Sequence, residues 1–359
     1  MKYEKAPEGV IPKAKYDASV YANVVASKYL DHLPLNRLES IYKRAGLHLP
    51  KQTMWDMLVT VDELVARPIL AQMQRKVLES EVLHSDDTTV RVQVEGQKGG
   101  SNGHVWTWRT PAPITKDGEP AKTLVQCTLG RNRAGPRHFL GKWTGTLIVD
   151  GLQVYNAVSE ENGINRAGCW SHARRGVVTA WKGGCRAAAH LLAPMHRLFW
   201  IERAIKQRIQ ERGLSLEEAL ALRRKVRDLR SRKVQSVIFE RAFNLQEDPA
   251  VSPDSTLGKA VNYLINQAEP LQLNLEDARV PIHNNHAEQD LRHVAIGRKN
   301  YMTFASEKGG EVAARLYSLV LSAKHAGLDP EAYVRELLSA ISTTAEQQIV
   351  CKFSLGVHA

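Results

Sequence analysis

The 359-residue chain reads as an α/β protein: a mixed sheet core with a helical insertion, flanked by N-terminal and C-terminal helices. Three observations predict this. Apolar residues recur at three- and four-residue intervals over residues 18 to about 80. The texture then becomes alternating and β-branched, from VLHSDDTTVRVQV to GTLIVDG. Helical periodicity returns after GCWSHARR and runs to about residue 267.

In the first region SVYANVVASKYLDHL, NRLESIYKRAG and TMWDMLVTVDELVARPILAQMQRKVLES are separate helices, punctuated by Pro34, Gly46 and Pro50. VLHSDDTTVRVQV and HVWTWRT form a hairpin around the turn EGQKGGSNG, TLVQCTLG is a third strand and RNRAGPRHFLGKW a helix. GTLIVDG is apolar on both faces, as a central strand covered on both sides must be. This order is that of a ribonuclease-H-like core. Near the end, GGEVAARLYSLVLSAKHAG is a helix stopped by Gly327, and DPEAYVRELLSAI is one with Asp329 as N-cap and Pro330 at its first position.

Composition sets outer limits. With 43% hydrophobic and 24% charged residues the chain can bury a large core in one or two domains. No run approaches the roughly 18 apolar residues of a membrane span, and MKYEKAPEGVIPKAKYD lacks a secretion signal, so membrane and export classes are excluded. Cys127, Cys169, Cys185 and Cys351 are too few for a disulfide scaffold and point to a reducing compartment. The net charge of +11 favours polyanionic partners, nucleic acid first, with a basic but ordinary enzyme as the alternative. Residues 200–243 alone hold 12 Lys and Arg against 6 Asp and Glu. That stretch is either a surface tracking DNA phosphates, with Arg223, Arg224 and Arg227 as its centre, or a solvated face with ion pairs such as Glu202 with Lys206.

Three carboxylates stand in unusual settings. Asp86 lies inside a strand, Asp150 ends a strand of buried character, and Glu288 sits on a polar helix beside Asn284, Asn285 and Arg292. A carboxylate on a central strand is costly to bury without positive compensation. Carboxylates converging on one sheet edge suit Mg²⁺ or Mn²⁺ and metal-assisted phosphodiester chemistry, although Asp150-Gly151 taken alone reads as a turn.

HSDDTT, VDGLQVY, CWSHARR and NNHAEQDLRHVAIGRKN, in this order, resemble the bacterial DDE transposases of the insertion sequence sixty-six family over about residues 27–338. The resemblance implies a ribonuclease-H-like core interrupted by a helical insertion between the second Asp and the Glu. It matches Asp86, Asp150 and Glu288 to a catalytic, metal-binding acidic triad using two Mg²⁺ (or Mn²⁺) ions. The implied activity is strand cleavage at the ends of an insertion sequence and 3′-hydroxyl transfer into target DNA. The implied partners are double-stranded DNA, a second copy at synapsis and accessory proteins of the same element, in the bacterial cytoplasm at the nucleoid. Arg174, Arg175, Arg292, Arg298 and Lys299 are the expected DNA contacts near the site. Asp87 stands where the family usually has Glu, and strand alternation puts it on the face opposite Asp86. Gln289 and His286 also depart from the usual Arg and apolar residue.

Relatives usually carry an N-terminal zinc-binding module that reads element ends, and this chain begins after it. A shortened copy, or a remnant that binds DNA and interferes with transposition, is therefore the alternative; a ribonuclease-H-like repair nuclease is a weaker one. Cys169 and His172 form a C-x-x-H also seen in related transposases. With Cys185 and His190 the spacing would accommodate zinc, but a packed or hydrogen-bonded structural role is expected instead, and Trp170 and Trp181 are expected in the core. The expected divisions are 1–80 (helical), 81–175 (first part of the core), 176–280 (basic insertion), 281–342 (the part carrying Glu288) and 343–359 (atypical tail).

Overall fold

The computed structural model describes residues 14–97 and 99–341; the tail expected at 343–359 lies outside them. Helices α1 (Ala18–Tyr29), α2 (Leu35–Arg44), α3 (Lys51–Val61) and α4 (Arg67–Leu78) come first. Pro34 and Pro50 sit immediately before α2 and α3, where a missing N–H costs nothing. A single π-turn, Asp62–Ala66, joins α3 to α4. It carries the fully buried Asp62, whose carboxylate accepts from Arg315 at 2.6 and 2.9 Å and from Arg67 at 3.3 Å. Arg315 belongs to α14 (Glu307–His325), so this ion pair fastens the N-terminal helices to the C-terminal ones. Gly327, at φ +73°, follows α14 in the left-handed conformation that ends a helix. Asp329 then caps α15 (Pro330–Ile341) by accepting the Ala332 amide at 2.7 Å.

The sheet contains β1 (Val82–Val92), β2 (Ser101–Arg109), β3 (Thr123–Leu129), β4 (Thr146–Ile148), β5 (Asn165–Ala167) and β6 (Thr303–Phe304). Their order is β3-β2-β1-β4-β5, with β6 also beside β1. The first three strands are antiparallel, whereas β4 and β6 run parallel to β1 and β5 parallel to β4. The fold is thus a mixed α/β one, with α5 (Ala134–Leu140) after β3 and α6 (Gln153–Asn162) after β4. On its side away from β2, β1 pairs with β4 only at residues 82–84 and with β6 only at 91–92. Helix α13 (Asn285–Tyr301) lies against the gap between them.

Between β5 and α13 the chain forms α7 (Trp170–Lys182), α8 (Ala189–Arg212), α9 (Leu216–Val226), α10 (Arg232–Glu247), α11 (Thr256–Asn266) and α12 (Ala268–Glu276). These helices share a buried cluster around Trp170, Met195, Ile238 and Val261. A separate cluster around Trp106, Trp108, Leu147 and Leu319 unites the sheet with the N- and C-terminal helices. Trp170 is buried as expected, but Trp181 is 47% exposed, because it falls on the outer side of α7. No described helix is long and apolar enough to cross a membrane.

Candidate active site

Strands β1 and β4 run in parallel register, with His84 opposite Ile148 as their last pair. Two residues further along each strand direction stand Asp86 and Asp150, so the register itself brings the two aspartates to the gap on the same side. Asp150 accepts the Leu152 amide at 3.0 Å in a local turn, as the Asp150-Gly151 turn reading expects. A Cβ on the neighbouring Gly151 would lie 2.9 Å from the Tyr263 ring, which leaves room only for glycine.

Glu288 reaches this gap from α13, and the placement of that helix is set by hydrogen bonds to β1. Asn284, fully buried, donates from Nδ2 to the Ser85 carbonyl at 2.7 Å and faces His84 Nδ1 with its Oδ1 at 2.9 Å. Burial drives His84 down to about 3, so the ring is neutral and its Nδ1–H donates to Asn284. Thirteen residues after Asn285, Arg298 donates to Thr88 Oγ1 at 2.7 Å and to the Thr89 carbonyl. Both ends of α13 are therefore tied to backbone oxygens that the gap leaves without a strand partner. Asp290 adds a third tie, accepting from Arg109 at 3.0 Å, Thr123 Oγ1 at 2.7 Å and His325 Nε2 at 2.9 Å.

Burial pushes the Asp86 carboxyl up to about 7, with the negative charges of Asp150, Glu288 and Asp87 adding to the effect against the Asp87 amide that donates to it. The charges of Asp150 and Glu288 thus both reach Asp86, and among the described residues no Lys or Arg is ion-paired with Asp86. Asp87 is directed elsewhere: its carboxylate bridges His104 Nδ1 at 2.7 Å and Arg131 at 2.8 Å. Strand alternation, which puts neighbouring side chains on opposite faces, accounts for the difference.

Glu288 accepts from Arg175 at 3.1 Å and lies 3.4 Å from His172 Nδ1. Cys169 is buried, and its Sγ accepts the Asn284 amide at 3.1 Å. The ligand atoms of Cys169, His172 and Glu288 all lie within 4.8 Å of one another; Cys185 and His190 are not part of this group.

The basic residues divide. Arg224, Arg292 and Lys299 are exposed, Arg174 is half-buried, and Arg175 is 61% exposed beside Glu288. Three of the expected DNA contacts have partners within the protein. Arg227, 0% exposed, holds Glu202 through two bonds of 2.8 Å and donates to the Asn274 and Val280 carbonyls, so it faces the interior. Arg223 also turns inward, 3.7 Å from Glu202, and lines a cavity of about 420 Å³ with Phe199, His283 and His286. Arg298 donates to the Thr88 hydroxyl and the Thr89 carbonyl of β1. Glu202 consequently pairs with arginines from the next helical hairpin rather than with Lys206. The sequence marks Asn284 only as a helical neighbour of Glu288; its role was not legible because its strand partners lie about 200 positions upstream.

A family profile described as Transposase IS66 family matches residues 13–312. Among curated relatives, the uncharacterized protein y4jD of Sinorhizobium fredii (strain NBRC 101917 / NGR234) is 29% identical over 95% of this chain and 66% of its own length. The uncharacterized proteins y4hP and y4qI of the same strain are 26% and 27% identical, each over 94% of this chain and over 61% and 62% of their own lengths. The chain therefore spans a little under two thirds of the relatives it matches. With a profile matched over most of its length, the chain belongs to the transposase IS66 family.

Proposed function

We propose that the chain is the catalytic part of a DNA transposase, built on a ribonuclease-H-like core, with Asp86, Asp150 and Glu288 as its catalytic carboxylates. The observation that supports this reading is that half-buried Asp86, beside the gap next to β1, feels the negative charges of Asp150 and Glu288 and has no cation paired to it among the described residues. The strand order β3-β2-β1-β4-β5, with a helical insertion between Asp150 and Glu288, supports the choice of core.

The donor set fits a divalent metal. Asp86, Asp150 and Glu288 offer only hard carboxylate oxygens, the donors that Mg²⁺ and Mn²⁺ prefer, and of the three only Glu288 is ion-paired among the described residues, with Arg175. When bound, such ions supply Lewis-acid activation of the attacking and leaving oxygens in phosphodiester displacement. The chain's own residues do the rest. Asn284 and Arg298 hold α13 in register, so that Glu288 stays opposite the aspartates. Arg175, at the rim, binds a phosphate oxygen of the DNA once Glu288 is otherwise engaged, with Arg174, Arg292 and Lys299 continuing a basic surface. The DNA would be double-stranded, at the ends of the element and at its target.

The test is cleavage of a labelled element end in Mg²⁺. Asp86→Asn is expected to lower the rate at least a thousandfold, because the oxygen that would hold the ion is replaced by an amide. Asp87→Asn, which loosens His104 and Arg131, is expected to cost tenfold or less. Equal losses in the two variants would contradict the assignment.

A further inference from the structure

The tightest group of metal-capable atoms is not the carboxylate trio. We propose that Cys169, His172 and Glu288 form a second metal site, one for a borderline transition ion such as Zn²⁺, and that it shares Glu288 with the acidic edge. The three ligand atoms lie within 4.8 Å of one another. Two ligands of a tetrahedral zinc stand about 3.3–3.8 Å apart, so closing the site takes a shift of about 1 Å. Glu288, 21% exposed and held on one side by the 61%-exposed end of Arg175, has the room to make it.

The chemistry of each member fits. The sulfur of Cys169 sits at the start of the thirteen-residue α7 and accepts the Asn284 amide at 3.1 Å; burial pushes its thiol up to about 11 against these donors, so it binds an ion by giving up its proton. Nδ1 of His172 is buried, has no hydrogen-bond partner and lies 3.4 Å from a Glu288 oxygen. A thiolate, an imidazole and a carboxylate select zinc-like ions over Mg²⁺, which favours oxygen alone. The charges also balance: one thiolate and one carboxylate neutralise a dication, and the thiol proton is released to solvent on binding. Three protein ligands leave a fourth position for water. The ligand set differs from the C-x-x-H plus Cys185 and His190 that spacing alone brings to mind, because the fold presents Glu288 instead.

One consequence rests on the function proposed above: an ion held here draws Glu288 away from Asp86 and Asp150, so zinc inhibits Mg²⁺-dependent cleavage. The binding itself does not rest on that reading.

Co²⁺ is the probe, because a thiolate ligand gives it an intense near-ultraviolet charge-transfer band. Titrating the full chain is expected to develop this band at one equivalent and to lose it on adding Zn²⁺. Cys169→Ser is expected to abolish the band, His172→Ala to weaken binding at least tenfold, and Cys185→Ser to leave it unchanged. Circular dichroism establishes that each variant is folded, and His172→Ala, at a partly exposed side chain, decides the matter if Cys169→Ser does not fold. No band in the wild type, or one that follows Cys185, would overturn the site. In the cleavage assay, the Zn²⁺ concentration for half-inhibition, taken against each variant's own Mg²⁺ rate, is expected to rise at least tenfold in His172→Ala. A Co²⁺ band without Asp86-dependent cleavage would sink the transposase reading and leave the site standing; cleavage without the band would do the reverse.

Discussion

At the gap beside β1, Asp86 feels the charges of other carboxylates and has no ion-pair partner among the described residues, whereas in the insertion Arg227 is enclosed by Glu202 and backbone carbonyls. Both are ionisable groups withdrawn from solvent on stretches marked by one sign of charge: acid inside a strand for Asp86, base along helices for Arg227. The difference lies in compensation. The fold completes the coordination of Arg227 with its own atoms, which makes it a structural brace. It leaves Asp86 without such a counter-charge among the described residues, at about 7 rather than the ordinary 3.8, which is consistent with the external cation proposed for this edge. Net charge over a stretch of sequence therefore says little about which residues meet a ligand.

That contrast is open to attack in descending order of effect. Replacing Arg227 with Met should lower the unfolding free energy in urea by about 3–5 kcal/mol, since Glu202 and the carbonyls are left buried without a donor. The double variant with Glu202→Met should recover much of the loss, and a single-variant loss under about 1 kcal/mol would mean that Arg227 is no brace. Asn284→Ala removes bonds to Ser85 and His84 and should cost about 2–3 kcal/mol, with cleavage falling further than stability explains as Glu288 loses its register. Arg224→Glu, at an exposed position on α9, should move stability by less than about 0.5 kcal/mol. It should instead reduce the slope of log affinity for DNA against log salt by up to about one. An unchanged slope would assign this face of the insertion to solvent alone.

Much of the fold is legible in local pattern. The hairpin of β1 and β2, the strand β3 and the doubly apolar β4 announce themselves by alternation and burial character, and Gly327, Asp329 and Pro330 mark helix ends by their own chemistry. Asp86 was separable from Asp87 because alternation is a local rule. What was not legible depends on distant partners. Strand β5 has three residues and β6 two, too few to carry a pattern, and each exists because β4 or β1 offers an edge. Arg227 and Arg224 are the same residue type three positions apart, and a π-turn beginning at Arg227 together with Glu202 decides which one is buried. The role of Asn284 required knowing that β1 has unpaired carbonyls at 85 and 89, which only the sheet topology reveals.

The central claim is that the acidic edge is built for a cation, and the stability of the wild type against Asp86→Asn over pH, with and without Mg²⁺, tests it without any assay of activity. A carboxyl raised from 3.8 to about 7 in the folded protein is stabilising while protonated, fully so below about 3.8, and that contribution is lost as pH rises through 7. Without metal, Asp86→Asn should therefore overtake the wild type as pH rises above about 4. The gap should widen to about pH 7 and then hold at a size on the order of a few kcal/mol. Adding Mg²⁺ at pH 8 should raise the wild type and leave the variant nearly unmoved, closing the gap. A variant less stable than the wild type at pH 8 without metal, or an equal response of both to Mg²⁺, would contradict the account.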